Sequence, residues 1–182
     1  MKILAVSGSL QARSSNKSLL ARAAQLTSPP VEWRQTELIG RLPHYNADLD
    51  GAEPPAVVTE WRAELDAADT VVFASPEYGM GMPGALKNAI DWVIGSGSFY
   101  KKPVAITCAA AGPHRGEMGL GMFVQTLNAV DALIVWNAPI VVPRQSIGAD
   151  GTIADPNVDA ALLELLAEVR RGVETARTAR ES

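Results

Sequence analysis

The sequence predicts an α/β three-layer sandwich built on a parallel sheet of five strands. Three observations carry that prediction. Short apolar runs alternate with amphipathic segments along the whole chain. The runs Lys2–Ser7, Thr70–Ala74 and Pro103–Ala109 are almost continuously apolar, as strands covered on both faces are. A length of 182 residues, 47% hydrophobic and 20% charged, suits one domain with a well-buried core.

The elements follow in order. Lys2–Ser7 reads as a buried strand ending at Gly8. Asn16–Leu26 carries Leu19, Leu20, Ala23 and Leu26 on a helical stripe that stops before Pro29. Val31–Leu38 alternates and reads as the second strand, followed by a loop to Pro55. Val57–Ala67 is helical, with Val57, Trp61 and Leu65 one turn apart. Thr70–Ala74 is the third strand, and Gly84–Ile94 the third helix, with Leu86, Ile90 and Val93 on one face. Pro103–Ala109 is the fourth strand, Gly119–Ala132 the fourth helix and Leu133–Val142 the fifth strand. After a loop from 143 to 156, Val158–Val169 is the last helix, and a charged tail over 172–182 is expected to fray. The chain is thus expected to form one flavodoxin-like domain over 1–182, with right-handed crossovers and strand order 2-1-3-4-5.

Composition excludes several function classes. A net charge of -4 and a pI near 5.2 leave no electrostatic footprint for nucleic acid or an anionic membrane surface. Cys108, the sole cysteine, cannot form an internal disulfide and reads as a small buried strand residue. His44 and His114 are far apart, so no metal-ligand spacing exists and no metal is expected. Met1 leads straight into the first strand with no signal-like segment, and a cytoplasmic location is expected.

Ligands on such sheets sit beyond the carboxyl ends of the strands, where strand order reverses. That places chemistry on the loops after strands one, three and four. The first loop, Gly8–Ser18, offers Ser9, Gln11, Ser14, Asn16, Lys17 and Ser18 at the positive end of a helix. This is the composition of a terminal-phosphate site. The plainer alternative is that one of Ser14, Ser15 or Asn16 merely caps the helix. This first loop contains neither GxxxxGK[ST] nor GxGxxG, which disfavours a nucleoside triphosphate or a pyrophosphate there. The second loop, Pro76-Glu77-Tyr78-Gly79-Met80-Gly81-Met82-Pro83-Gly84, combines fixed and permissive backbone with apolar side chains. It can hold a planar heterocycle, with Tyr78, Met80 and Met82 against the ring; alternatively the methionines fill core gaps. The third loop carries Ala111, Gly112, His114 and Arg115. His114 reads as a solvated side chain or a substrate contact, and Arg115 as a phosphate clamp or a surface charge.

At these residues the chain resembles the NAD(P)H-dependent FMN reductase family, which includes chromate, quinone and azo-dye reductases. The family pattern G-S-x-R-x-x-S-x-N is matched by Gly8, Ser9, Ser14 and Asn16, and P-E-Y-N by Pro76, Glu77 and Tyr78. PGALKNAIDW from Pro83 to Trp92 follows the family almost letter for letter, and Asp150–Asp155 is similar to a family feature before the last helix. Gln11 stands where the family has arginine, Gly79 where it has asparagine, and Ala110 and Ala111 where a serine is common. The resemblance implies FMN with its phosphate on Ser9, Gln11, Ser14, Asn16, Lys17 and Ser18. The isoalloxazine would lie between Pro76, Glu77, Tyr78 and Gly79 and the Ala111–Gly112 wall. NADPH or NADH would deliver hydride to flavin N5, and a small-molecule electron acceptor would then take its place in a ping-pong cycle. Met80, His114 and Arg115 would face the substrate. It further implies a homodimer or homotetramer, with the third helix and the Gly95–Tyr100 loop as candidate contacts and Glu77 possible at a subunit boundary. Two other readings stay open: a flavodoxin-like electron carrier, and a flavin-free binding module on the same fold.

Overall fold

The computed structural model describes residues 1–181, with side chains to 179. Five parallel strands form the sheet: β1 (Lys2–Ser7), β2 (Glu32–Thr36), β3 (Thr70–Ala74), β4 (Pro103–Thr107) and β5 (Leu133–Asn137). Their order is β2-β1-β3-β4-β5, every neighbouring pair parallel. The helices are α1 (Ser15–Leu26), α2 (Ala56–Ala67), α3 (Gly84–Asp91), α4 (Glu117–Asn128) and α5 (Pro156–Glu181).

The alternation of side chains along each strand divides the core into two halves. Leu4, Val6, Val71 and Phe73 point to one side, where Trp61, Leu65, Leu86, Ile90 and Phe123 cover them. Ile3, Ala5, Val72 and Ala74 point to the other, against Leu19, Leu20, Leu162, Leu165 and Val169. Burial on both faces is why these strands contain almost no polar residue. Phe73 packs edge-on against Phe123 at 5.0 Å between ring centroids, and each such buried side chain contributes about 1.5–3 kcal/mol. Arg22 on α1 grips Asp159 on α5 through two bonds of 2.7 and 2.6 Å, fixing the two helices on one face of the sheet.

Several expected boundaries move for identifiable reasons. The fifth strand does not run unbroken to Val142. It stops at Asn137, and Ile140–Val141 then pairs in parallel with Ala109–Ala110 as a separate two-residue ladder. Pro139 interrupts the run between them. Helix α5 extends past Val169 through the charged tail to Glu181, while Ser182 lies outside the described residues. Its apolar stripe extends from Val169 to Val173, both buried, and Arg177 pairs with Asp69 at 3.1 Å. Gly172 lies so close to Val135 on β5 that an added Cβ would sit 2.4 Å from it. The apolar face of α3 belongs to the protein's own core, since Leu86, Ile90 and Val93 are buried, as is Phe99 in the loop beyond. Those residues are therefore unavailable as intersubunit contacts; Ile94 and Tyr100 are the exposed apolar residues of that region.

Candidate flavin site

All three candidate loops leave the sheet at the same end. Ladder bonds carry β1 and β3 one step further, from Gly8 N–H to the Ala74 carbonyl and from Ser75 N–H to the Thr107 carbonyl, before the chains separate. A slot of about 600 Å³ opens beyond β3 and β4, walled by Pro76 and Glu77 on one side and by Cys108–Pro113, Arg115 and Gly116 on the other. This is within the ordinary size of a small-ligand pocket.

Asn16 joins the two halves. It is buried in the first turn of α1, lines the slot, and accepts a hydrogen bond from the Ala109 N–H at 2.9 Å through Oδ1. Its Nδ2 amide group has no hydrogen bond among the described residues. On the other side of the same turn lies a second cavity of about 570 Å³, lined by Arg13, Ser14, Ser15, Lys17, Ser18 and the Ile147–Gly151 segment. Ser14 is the N-cap residue of α1, yet its hydroxyl makes no capping bond although the residue is only 7% exposed. An uncommitted hydroxyl that opens onto a cavity at the positive end of a helix suits an anion better than simple capping.

The remaining expected phosphate residues are placed differently. Ser9 is buried, and its Oγ accepts the Gln11 N–H, so it shapes the loop. Ser9 and Gln11 line neither cavity, and the Gln11 side chain is exposed. Lys17 is engaged with Glu37 at 2.8 Å. Arg13 has no side-chain partner among the described residues and lines the second cavity.

The loop after β3 is a tight hairpin. Tyr78 and Gly81 exchange N–H···O bonds of 2.9 and 3.0 Å, with Gly79 at φ 56° and Met80 at φ 63° between them. Two successive left-handed residues define the type I′ turn, whose favoured first residue is asparagine or glycine. Gly79 therefore keeps the conformation that an asparagine would adopt, and the departure costs a side chain without altering the turn. Met80 is left-handed without being glycine and stands 64% exposed at the rim. Met82 does not face the slot: it packs against the core, with Thr126 Oγ1 3.5 Å from its sulfur. Glu77 turns to α4, where Oε2 accepts the Gly119 N–H at 2.9 Å within the same chain. That bond ties the slot wall to the start of α4.

On the opposite wall His114 is exposed, left-handed at φ 60°, and bonded to Glu117 Oε1 at 2.9 Å. Ala111 and Gly112 line the slot as expected, and Arg115 joins them. No local pattern announces Cys108 and Gly116 as a structural unit. Cys108 Sγ donates weakly to the Arg115 carbonyl at 3.7 Å, and a Cβ on Gly116 would lie 2.2 Å from that sulfur. Burial, aided by the Glu77 carboxylate, pushes the Cys108 thiol up to about 11 from an ordinary 9.0. At pH 8 its thiolate fraction is then about 100-fold below that of a free cysteine. Cys108 is expected to resist Ellman's reagent in the folded protein and to react at once in denaturant; rapid native labelling would contradict the buried, neutral assignment. No group of three or more His, Cys, Asp or Glu side chains among the described residues can hold a metal, and no helix among them is long and apolar enough to cross a membrane.

Comparison with known proteins agrees with this architecture. A family model described as NADPH-dependent FMN reductase matches residues 1–145. A Pseudomonas aeruginosa NAD(P)H-dependent FMN reductase is 40% identical over 114 residues, covering 62% of this chain and 61% of that protein. An Arabidopsis thaliana NADPH:quinone oxidoreductase is 32% identical over 178 residues, covering 91% of this chain and 88% of the relative. Among solved structures, FerB, a flavoenzyme NAD(P)H:(acceptor) oxidoreductase from Paracoccus denitrificans, superposes with a TM-score of 0.80 at 27% identity, covering 97% of each chain. The slot beyond β3 and β4, the anion-ready start of α1 and these matches lead to one conclusion: the chain belongs to the NADPH-dependent FMN reductase family of oxidoreductases.

Proposed function

We propose that the protein binds FMN and uses it to pass hydride from NADPH or NADH to a small acceptor of the quinone class. The observation that carries this reading is a pair of cavities on neighbouring residues of one helix turn: a slot of about 600 Å³ bordered by Asn16, and a second cavity bordered by Ser14, Ser15 and Lys17 on either side of it in sequence. FMN, when bound, supplies the hydride-accepting and hydride-donating chemistry. The chain's part is to hold and orient it. Ser14, Ser18 and Arg13 would hold the phosphate, Asn16 would donate its free amide N–H, and Pro76–Gly79 and Ala111–Gly112 would flank the ring. No protein acid or base is required. This agrees with a neutral Cys108 and with His114 turned to solvent beside Glu117. Reductant and acceptor would occupy the same open side in turn, a ping-pong cycle. The rim of Tyr78, Met80, Met118 and Met122, all exposed, supports a homo-oligomer that covers it.

Purified protein titrated with FMN should show a perturbed flavin spectrum and should then oxidise NADPH or NADH in the presence of a quinone. A protein that leaves the flavin spectrum unchanged would rule the reading out. Bound flavin without turnover would make it an electron carrier. Gln11→Arg should tighten FMN binding several-fold, about 1 kcal/mol for an exposed ion pair. Unchanged affinity would show that residue 11 does not reach the phosphate.

A further inference from the structure

We infer that Arg115 is the residue that stabilises the extra negative charge of reduced flavin, and so sets its potential, rather than a clamp for substrate. The inference rests on the FMN reading above. Accepting a hydride brings two electrons and one proton to the ring, which leaves one unit of negative charge that oxidised FMN does not carry. The slot must accommodate that charge in a confined space, where fixed charges count for more than in water.

The charges around the slot are few. Glu77 lines it and is already committed to the Gly119 N–H. Glu117 is committed to His114 outside it. Arg115 lines the slot and its guanidinium has no hydrogen bond or ion pair among the described residues. Without Arg115, the only formal charge lining the slot would be the Glu77 carboxylate, which opposes a negative ring.

The backbone holds Arg115 in place at a cost. His114 at φ 60° and Gly116 at φ 89° are both left-handed, on either side of it. Only Gly116 is of the residue type that adopts such a conformation freely. The Arg115 carbonyl accepts the Cys108 thiol from below, and the Arg115 N–H reaches the Gly112 carbonyl at 3.4 Å. The strained segment holds the Arg115 backbone at the slot, and the exposed, unpaired side chain stands as the cation of the slot's edge. Arg115 would favour reduced over oxidised flavin because its partner exists only after reduction.

The test is the midpoint potential of FMN bound to the wild-type protein, Arg115→Gln and Arg115→Lys, measured by dye equilibration. Affinity for oxidised FMN is followed in parallel. For Arg115→Gln we expect oxidised FMN affinity within about twofold of wild type and reduced FMN bound about tenfold more weakly. A tenfold change corresponds to a potential about 30 mV lower for a two-electron couple. Arg115→Lys keeps the charge and should restore most of the shift. An unchanged potential in Arg115→Gln overturns the inference and leaves the FMN reading intact. So does an equal loss of affinity for both flavin forms, which would make Arg115 a general contact. Failure of the wild-type protein to bind FMN at all overturns both.

Discussion

Replacing Gly116 by alanine is expected to destabilise the protein by about 2–5 kcal/mol and to weaken flavin binding with it. Two separate costs add. A φ of 89° lies in the left-handed region, where an L side chain costs about 1–2 kcal/mol. A Cβ would also sit 2.2 Å from Cys108 Sγ, a contact that requires the third loop or the end of β4 to move. Overpacking of that kind typically costs about 1–3 kcal/mol. The sulfur cannot easily turn aside, because Cys108 is buried and its thiol is bonded to the Arg115 carbonyl. Urea denaturation separates the two costs. In Cys108→Ala the nearest atom to a Cβ on residue 116 is the residue 108 Cβ at 3.4 Å, an ordinary contact. The double variant Cys108→Ala/Gly116→Ala should therefore lose only the backbone strain and the small cavity. The double variant should thus be more stable than the sum of the two single losses predicts. A Gly116→Ala protein as stable as wild type would mean that the third loop is free to shift, and would remove the argument that Arg115 is held rigidly.

The fold was legible because it rests on signals with a period. Buried strands on both faces, helices with an apolar stripe and turns at glycine and proline all leave their mark on adjacent residues. The signal weakened where long-range contacts decide. Nothing near Gly172 or Val173 says that an arginine-rich tail continues as helix; what holds it is Val135 and Asp69, far away in sequence. The division of the Leu133–Val142 run depends on the ladder between Ala109–Ala110 and Ile140–Val141, which no local pattern announces.

The candidate site was legible as three loops and less so as partnerships. Ser14 and Asn16 stood out by type, but only the fold shows that they face different cavities. Glu77 also stands out by type, but only the fold shows that its carboxylate meets the start of α4. Gly79 reads in sequence as a lost contact, and the hairpin shows a left-handed turn position that asparagine also favours, occupied here by a smaller residue. Met82 illustrates the opposite error: an apolar residue in a promising loop that the core had claimed.

Asn16 provides the sharpest separation of structure from binding, because its two amide atoms have different tasks. Oδ1 accepts the Ala109 N–H and thereby joins α1 to the slot's far wall, while Nδ2 is uncommitted and borders the slot. Asn16→Ala removes both. It leaves the Ala109 N–H without its partner, a loss of about 1–3 kcal/mol, and should weaken FMN binding by at least tenfold. Asn16→Asp removes only the donor: a carboxylate still accepts the Ala109 N–H, and a negative charge in the first turn of α1 is favourable to the helix. Its stability in urea should stay within about 1 kcal/mol of wild type. Its FMN affinity should nevertheless fall by at least tenfold, since an amide donor bordering the slot becomes an anion near the phosphate cavity. If Asn16→Asp binds FMN as tightly as wild type, the Nδ2 group takes no part in holding the cofactor and Asn16 is a strut alone. If instead Asn16→Asp is destabilised as much as Asn16→Ala, the bond to Ala109 is not what holds the two walls together, and the slot must owe its shape to the Glu77–Gly119 tie and the Ala109–Ala110 ladder.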